Sequence, residues 1–557
     1  MLWPLQLTHL LPRAEFACIE TGRVGPPDRV ATLASFVTRS SGRLCGSKTP
    51  IFVSGPQRVA RRPKMSESGT PAFQIIVLGP NGGPREDHVT GLLVRSTSMS
   101  WTPGSVVAVD AGTLLAGIIR ILKNFLPDSI DGQGNMTAGP FKGLHLPAKS
   151  AEANAAYIFR EIIGAVLITH PHLDHVSGLA INTPILEAGS GPKPVAALPS
   201  VLSAIKNHMF NDIIWPNLSD EDGGAGLLTY QRLVEGGNTR FGTGDARGYV
   251  RACNGLLTKC LSVSHGHSKQ RFHPESGMHH RVGSTVFSPD QYIFSSRAVS
   301  MDQTDGSFYS PARSPQIPPT APKEPMMASV ESSAFFIRDH RTGREIIIFG
   351  DLEPDTVSLE PRNKRVWEAA APKIHAGSLG AIFMECSFSD SIDDSYLYGH
   401  LCPRHVAAEL KVLAGKVMGL RDSVSLDKKR KQPTSGFGDS SGTPLSPRSK
   451  SRSKSRSNPS LDRSEPSSGG IRAVDMPETL VDRIGSKDVA EPNDVGWADA
   501  DPLPLTGLSV YIIHIKEGLD DGPPPEEQIL RELKAHAQES HLGCQFFIPD
   551  PNQAIWV

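Results

Sequence analysis

The segment that decides the fold is Leu167-Ile168-Thr169-His170-Pro171-His172-Leu173-Asp174-His175. Three histidines and one aspartate fall within six residues there, directly after the apolar stretch 164–168. Because apolar and polar residues do not alternate in that stretch, it predicts a buried strand. Loops that follow the carboxyl ends of such strands carry the functional side chains of α/β folds. We therefore expect a site at this position.

The residue types in this loop favour metal binding. Neutral imidazole is the commonest metal ligand in proteins, and a neighbouring carboxylate neutralises the charge of the cation. His170 and His172 lie two residues apart on one side of an extended segment, so they can bind one ion together. Asp174 and His175 follow the turn and can face a second ion. A histidine-rich surface loop is the alternative, which a lone His-x-His would favour.

The pattern His-x-His-x-Asp-His is the signature of the metallo-β-lactamase superfamily of binuclear metal hydrolases. The longer run 170–179, His-Pro-His-Leu-Asp-His-Val-Ser-Gly-Leu, resembles the class II cyclic-nucleotide phosphodiesterases, the low-affinity type found in fungi. A second string, Phe-Asn-Asp-Ile-Ile-Trp-Pro at 210–216, is similar to one that members of this family carry. The resemblance covers about 72–420 and 505–557, apart from 268–329. It implies an α/β (α+β) fold, a four-layer αββα sandwich with a binuclear site.

The resemblance also implies the ligands of two divalent metal ions, with zinc as the expected metal. His265 and His514 end later apolar segments, and Asp351 follows the segment 345–349. His267 is an alternative to His265. Asp110, in an Asp-Ala-Gly turn, is expected to support the metal loop without binding metal. The full set is His170, His172 and His265 for one metal, Asp174, His175 and His514 for the other, and Asp351 bridging both.

Three residues are expected to take part in the chemistry. Asp174 is assigned a catalytic role beside its role as a ligand. Glu385 and His400 resemble a pair of the superfamily in which the histidine contacts the phosphate or protonates the leaving oxygen. A histidine suits that task because its pKa lies near working pH and a carboxylate fixes its tautomer. The alternatives are that His400 caps a helix and that Glu385 closes a turn.

The substrate is expected to lie against Asn211, Asp212 and Trp215. An aromatic face can stack on a purine while amides read the edge of the base. The alternative gives these residues structural roles, with Trp215 in the core and the other two capping a turn.

Composition excludes several classes of protein. The net charge of −1 gives no case for a nucleic-acid partner. Seven cysteines without Cys-x-x-Cys spacing indicate reduced thiols in an intracellular protein. No apolar run approaches the length of a membrane span, so we expect a cytoplasmic protein without a membrane partner. A cyclic nucleotide is the expected partner, and a homodimer is considered.

The domain organisation follows from shifts in composition. Residues 1–70 are expected to form a disordered or targeting-like extension. The composition favours disorder over a mitochondrial targeting sequence. The catalytic domain is expected at 71–420 and 505–557. It is interrupted by a low-complexity insertion at 268–329 and by a basic Ser/Pro-rich disordered insertion at 421–504. The basic run 428–431 could serve as a nuclear address.

Local patterns predict the main elements of the domain. Strands are expected at 73–79, 91–96 and 106–110 as a meander, followed by a helix at 114–122. Further helices are expected at 198–207 and 403–413.

The expected function is metal-dependent hydrolysis of 3′,5′-cyclic nucleotides, cAMP before cGMP, to 5′-monophosphates. One alternative is an endonuclease of the tRNA 3′-processing type, for which the basic insertion would have to grip RNA. The other is a non-catalytic scaffold that displays its Ser- and Pro-rich insertions to signalling partners. The string at 210–216 favours the first reading over the nuclease, and the complete ligand set argues against the scaffold.

Overall fold

The computed structural model describes residues 70–189, 191–282, 327–430 and 502–557. The expected extension at 1–70, except its last residue, lies outside the described residues, as do most of the two expected insertions. The side chains of the basic run 428–431 are outside them too. The domain boundaries therefore stay predictions.

The first sheet has the strand order β16-β1-β2-β3-β4-β5-β6. Its early strands pair antiparallel as the predicted meander, whereas β3, β4, β5 and β6 pair in parallel. The last strand of the chain returns to pair with β1. The strands are β1 (Phe73–Gly79), β2 (Gly91–Ser96), β3 (Val106–Val109), β4 (Ile163–Leu167), β5 (Lys193–Ala197), β6 (Leu228–Arg232) and β16 (Ala554–Trp556).

The second sheet has the order β15-β14-β13-β12-β11-β8-β7. It repeats the plan of the first sheet, with antiparallel pairing from β7 to β12 and parallel pairing from β12 to β15. The strands are β7 (Val250–Cys253), β8 (Leu256–Ser268), β11 (Ala328–Asp339), β12 (Glu345–Phe349), β13 (Leu379–Glu385), β14 (Ser509–Ile513) and β15 (Gln545–Phe547). Between β8 and β11 a separate hairpin pairs β9 (Gln270–His273) with β10 (Met278–Arg281).

Seven helices are described. Two of them, α2 and α4, continue as π-helical turns at Ile158–Ile162 and Ile205–Met209. None of the described helices combines the length and the apolar character that crossing a membrane requires. Their bounds are α1 (Leu115–Phe125), α2 (Ala151–Tyr157), α3 (Leu173–Asn182), α4 (Pro199–Ala204), α5 (Asn363–His375), α6 (Pro403–Arg430) and α7 (Pro525–Glu539).

Alternation along the second sheet separates two apolar cores. Phe335 and Ile348 belong to the core that includes the first sheet and α1, whereas their neighbours Phe336 and Ile347 join the core formed with α5, α6 and α7. Successive side chains of a strand point to opposite faces, so one face of this sheet meets the first sheet and the other meets helices. The predicted αββα sandwich of two sheets between helices is thereby confirmed.

The structure corrects the start of the insertion predicted at 268–329. Residues 270–281 form the β9–β10 hairpin, closed by Pro-Glu-Ser-Gly with Gly277 at φ 66°. Most side chains of this ribbon are exposed or half-buried, so the sequence lacks the apolar alternation that normally reveals a strand. The turn residues were the available signal.

The helix predicted at 403–413 is longer than expected and extends into the range 421–430 of the second insertion. Gly415 and Gly419 lower helix propensity by roughly 1 kcal/mol each, which favoured an early end. Both glycines have open space where a side chain would be. The buried residues Leu413 and Val417 continue the apolar stripe, so tertiary packing overrides the propensity.

Candidate active site

The predicted metal loop connects β4 to α3, and His172 occupies the position just before the helix. His170 and His175 are buried, Asp174 is half-buried and His172 is exposed. The Nε2 atom of His170 lies 3.1 Å from Nδ1 of His172, so the two rings can share one ion as their spacing predicts.

The second sheet places its acids and histidines opposite this loop. Asp351 lies two residues after the end of β12 and is buried, with 2 % of its surface exposed. Its Oδ2 atom lies 3.0 Å from Nε2 of His514 and 3.6 Å from Nε2 of His170, and its Oδ1 atom lies 3.3 Å from Nε2 of His175. His265 reaches the same carboxylate at 3.7 Å.

These side chains form three groups whose ligand atoms lie within 4.8 Å of one another. Asp351 belongs to all three of them. His267, the alternative to His265, is exposed and belongs to none of the groups found among the described residues. The groups are His170, His172, His265 and Asp351; Asp174, His175, Asp351 and His514; and His265, Asp351, Glu385 and His400.

Four histidines are held by one ring nitrogen and present the other to Asp351. Nδ1 of His175 donates to Asp110 at 2.8 Å, and Nδ1 of His265 donates to the carbonyl of Gly399 at 2.9 Å. Nδ1 of His170 and His514 lies 3.1 and 2.7 Å from the hydroxyl oxygens of Thr169 and Thr90. Fixing one nitrogen in this way orients the other toward a metal.

Asp110 has the supporting position that the sequence predicts for it. Its carboxylate accepts from His175 and also from the backbone N–H and the hydroxyl of Thr169, all at 2.8 Å. The residue adopts a left-handed conformation with φ 55°. Non-glycine residues rarely adopt this conformation, and it recurs at functional sites. His514, at the end of β14, shares it with φ 61°.

Electrostatics keep the donor set suited to a cation. Burial lowers the pKa of His514 and brings that of His265 to about 4, so both rings stay neutral with a free lone pair. Burial would raise the pKa of Asp351, but the neighbouring histidines outweigh it and hold this pKa well below its usual range. Burial opposes the charged form of His175 as well, yet Asp351 and Asp110 raise its pKa well above normal, so this ring would hold a proton that a bound cation has to replace.

The arrangement fits divalent metal ions. Nε2 of His175 is buried and makes no hydrogen bond, although Oδ1 of Asp351 lies 3.3 Å away and buried polar atoms in native proteins are nearly always paired. Converging imidazoles around a shared carboxylate are the donor set that zinc and other first-row transition metals prefer. A cation would pair the orphan nitrogen and neutralise Asp351.

Glu385 and His400 form a buried pair at the edge of the ligand groups. Nδ1 of His400 donates to Oε2 of Glu385 at 3.0 Å and lies 3.8 Å from Asp351. Glu385 also accepts from the hydroxyl of Ser387 at 2.6 Å and the backbone N–H of Leu352 at 2.7 Å. Burial opposes the protonated imidazole, but the charge of Glu385 prevails and raises the pKa of His400. The pair can therefore hold a proton beside the metal groups.

The three residues predicted to bind substrate, Asn211, Asp212 and Trp215, make structural contacts. The Asn211 carboxamide accepts from the backbone N–H groups of Ile213 and Ile214, and Asp212 accepts from the backbone of Asn217 at 2.8 Å. Trp215 packs against the first core. These contacts are the ones expected if the residues have structural roles. That they bind the base of the substrate stays a prediction.

Two residues near the groups were absent from the predicted site. Nζ of Lys516 lies 3.1 Å from Nε2 of His514 and 3.6 Å from Asp174, and it donates to the carbonyl of Gly82 at 2.6 Å. Thr90 precedes β2 and meets His514 across 424 positions of sequence. Lys516 lies two residues after His514, and this spacing could have indicated that it belongs to the site. No local sequence pattern around Thr90 indicates such a role.

Known proteins resemble this chain in sequence. The sequence model of a family described as cAMP phosphodiesterases class-II matches residues 134–235 and 294–436. The 3′,5′-cyclic-nucleotide phosphodiesterase of Schizosaccharomyces pombe is 26 % identical over 346 residues, which are 62 % of this chain and 76 % of that protein. The enzyme of the same name from Candida albicans is 26 % identical over 374 residues, 61 % of this chain and 82 % of that one.

A solved structure shares the fold. The crystal structure of unliganded yeast PDE1 aligns with a TM-score of 0.53 and 19 % sequence identity, covering 87 % of this chain and 100 % of that one. The family match, the curated relatives and the shared fold agree with one another. This protein therefore carries a region that matches the class II cAMP phosphodiesterases, and it is similar to enzymes of that name over about 60 % of its length.

Proposed function

We propose that this protein hydrolyses 3′,5′-cyclic nucleotides, cAMP foremost, to 5′-nucleoside monophosphates. The observation that carries the proposal is Asp351, whose carboxylate is shared by two groups of possible metal ligands while the Glu385–His400 pair adjoins it. Relatives that match three quarters or more of their own length are named for this activity. We assign the reaction to residues 71–420 and 505–557.

Two zinc ions are the proposed cofactors. His170, His172 and His265 would hold one ion, Asp174, His175 and His514 the other, and Asp351 would contact both. Bound divalent metal supplies a water that ionises near neutral pH and neutralises negative charge on the phosphate. Zinc suits this mixture of imidazole and carboxylate ligands and brings no redox chemistry.

The chain's own residues complete the reaction. Water adds to phosphorus and the bond to the 3′ oxygen breaks, so that oxygen needs a proton. Nδ1 of His400 is engaged by Glu385, which leaves Nε2 as the atom that gives this proton and later recovers one from solvent. Asp174 lies 3.6 Å from both His514 and Lys516, where its carboxylate would offset the charge of Lys516 beside the second ligand group.

The test is hydrolysis of cAMP and cGMP by the purified full chain, with the product identified by chromatography and metal counted by mass spectrometry. We expect 5′-AMP, loss of activity on chelation, recovery with zinc and two zinc ions per chain. Precursor tRNA serves as the competing substrate and should stay uncleaved. A zinc-loaded protein that leaves both cyclic nucleotides intact would exclude the proposal.

Two finer expectations stay proposals. A homodimer is tested by light scattering on the eluted protein, and a cytoplasmic location by imaging a tagged chain in cells. Neither is required for the reaction.

A further inference from the structure

A cavity of about 210 Å³ lies between the β9–β10 hairpin, α4 and β11. We call it the hairpin pocket. His172, which belongs to the first group of metal ligands, forms part of its wall. A single buried water needs only about 10–15 Å³ of such space, so the pocket has room for a ring-sized group.

The walls of the hairpin pocket combine apolar and aromatic side chains with polar ones, among them Gln270 and Glu331. Val201 and Ala204 of α4 and Phe272 of β9 line it together with His208 and His279, in addition to His172. The ring of His279 lies 5.3 Å from that of Phe272 and 6.1 Å from that of His208. Such flat surfaces stack on any nucleobase, because every base has a π-face.

Two polar atoms on the wall lack partners. Nδ1 of His279 and the hydroxyl oxygen of Ser329 are buried and make no hydrogen bond, and both residues line the pocket. Each atom can donate or accept, so together they suit the edge of a base that presents ring nitrogens and an exocyclic group. Buried polar atoms that are left unpaired cost free energy, which a ligand at this position would recover.

We propose that the hairpin pocket binds the purine base of the cyclic nucleotide. This inference rests on the proposed function and adds the position of the base. Because His172 borders both the pocket and the metal groups, a nucleotide with its phosphate at Asp351 can lay its base along the hairpin. Phe272 then stacks on the base, while His279 and Ser329 bind its edge. All three are specificity residues and take no part in the chemical step.

A second cavity, of about 400 Å³, borders His400 and is the competing position. Glu353 and Asp394 give it an acidic wall, and Tyr398 at its rim is 74 % exposed. None of its described lining side chains has a buried polar atom without a partner. The hairpin pocket therefore offers the better match to a base.

The test compares His279→Ala and Ser329→Ala with His280→Ala in the zinc-loaded full chain. His280 is the next residue of β10 and points to the opposite side of the ribbon, where it contacts Ser276 at 2.9 Å. We expect KM for cAMP to rise about tenfold in the two pocket variants, since each loses a hydrogen bond to the base. His280→Ala should match the wild type. Hydrolysis of bis(p-nitrophenyl) phosphate, which has no purine, should be unchanged in all variants.

Binding of adenosine, measured by calorimetry, gives a readout that does not depend on turnover. The wild type and His280→Ala should bind it, and His279→Ala should bind it about tenfold more weakly. An unchanged KM and unchanged adenosine binding in the pocket variants would overturn the inference, as would a KM increase confined to Tyr398→Ala. If the wild type fails to hydrolyse cAMP, the proposed function fails, and adenosine binding then decides separately whether the pocket takes a base.

Discussion

The first sheet supplies its part of the site from one short connection, whereas the second sheet supplies its part from several distant strands. The loop 170–175 after β4 brings its histidines and aspartate together by local geometry, and Asp110 at the end of β3 fixes it. In the second sheet the residues follow the strand ends one by one: His265 on β8, Asp351 after β12, Glu385 at the end of β13 and His514 after β14.

The difference determines what each half depends on. The part of the site on the first sheet depends on the conformation of the loop 170–175, which the carboxylate of Asp110 holds in place. The second half depends on strand register, because Glu385 and Ile513 are paired neighbours in parallel strands. A slip of one residue would turn every side chain of a strand to the other face. Substitutions in the two halves should therefore fail in different ways.

The largest effect is expected at the carboxylate that joins the halves. Asp351→Asn removes the charge that both ligand groups share, so turnover of cAMP should be abolished and metal content should fall. The strands around it keep their apolar packing, so circular dichroism should be unchanged. Asp521→Asn, at an exposed position after β14, is the matched control. Wild-type hydrolysis by Asp351→Asn would contradict the shared-ligand assignment.

The second prediction separates chemistry from metal binding within the second half. His400→Gln removes the proton donor but leaves the ligand groups around His170 and His514 intact, so kcat should fall by about 10²–10⁴. The bound metal, counted by mass spectrometry, should be unchanged. A loss of metal in this variant would make His400 a ligand and refute its role as a donor.

The third prediction concerns the support of the first half. Asp110→Asn weakens the hold on His175, so metal affinity should drop by about 10–100-fold, as for other carboxylates behind a metal-binding histidine. Thr90→Val, which removes the neutral hydroxyl that contacts His514, should lower metal affinity by a smaller factor. Competitive metal titration measures both values. Equal losses would mean that the two halves are supported alike.

The smallest effect is expected beside the edge strand of the first sheet, at a residue that belongs to none of the ligand groups. Glu221 lies 2.7 Å from Arg232 of β6, and this hydrogen bond lowers the pKa of Glu221 to about 2. Because the folded pKa lies below the unfolded one, the stabilisation is present above about pH 4.5 and is lost as the pH falls toward 2. Both side chains are partly exposed, so solvent screening limits it to about 1 kcal/mol.

Urea denaturation of the wild type and Glu221→Gln at pH 7 and at pH 4 measures the contribution of this ion pair to the free energy of unfolding. The variant should be less stable at pH 7, and the difference should shrink at pH 4. A difference independent of pH would assign the effect to packing.

The same contrast explains what the sequence could reveal. The loop 170–175 was readable because its residues are contiguous, and the apolar strands before Asp351 and His514 were readable from composition. The β9–β10 hairpin was missed since its surface-lying residues carry no apolar alternation. Contacts such as that between Thr90 and His514 arise only when distant segments meet, so no local pattern predicts them. The resemblance to a family supplied the ligands that spacing alone left open.

Each of the two main ligand groups contains side chains from both sheets. A bound ion would therefore link the two sheets directly. A ligand that binds only the folded state stabilises it by about 2.7 kcal/mol at a hundred times its dissociation constant. The melting temperature of this protein should therefore report the free metal concentration around it. Withdrawal of the divalent metal should loosen the contact between the sheets as well as stop the reaction, so metal supply would set both the lifetime and the activity of the enzyme.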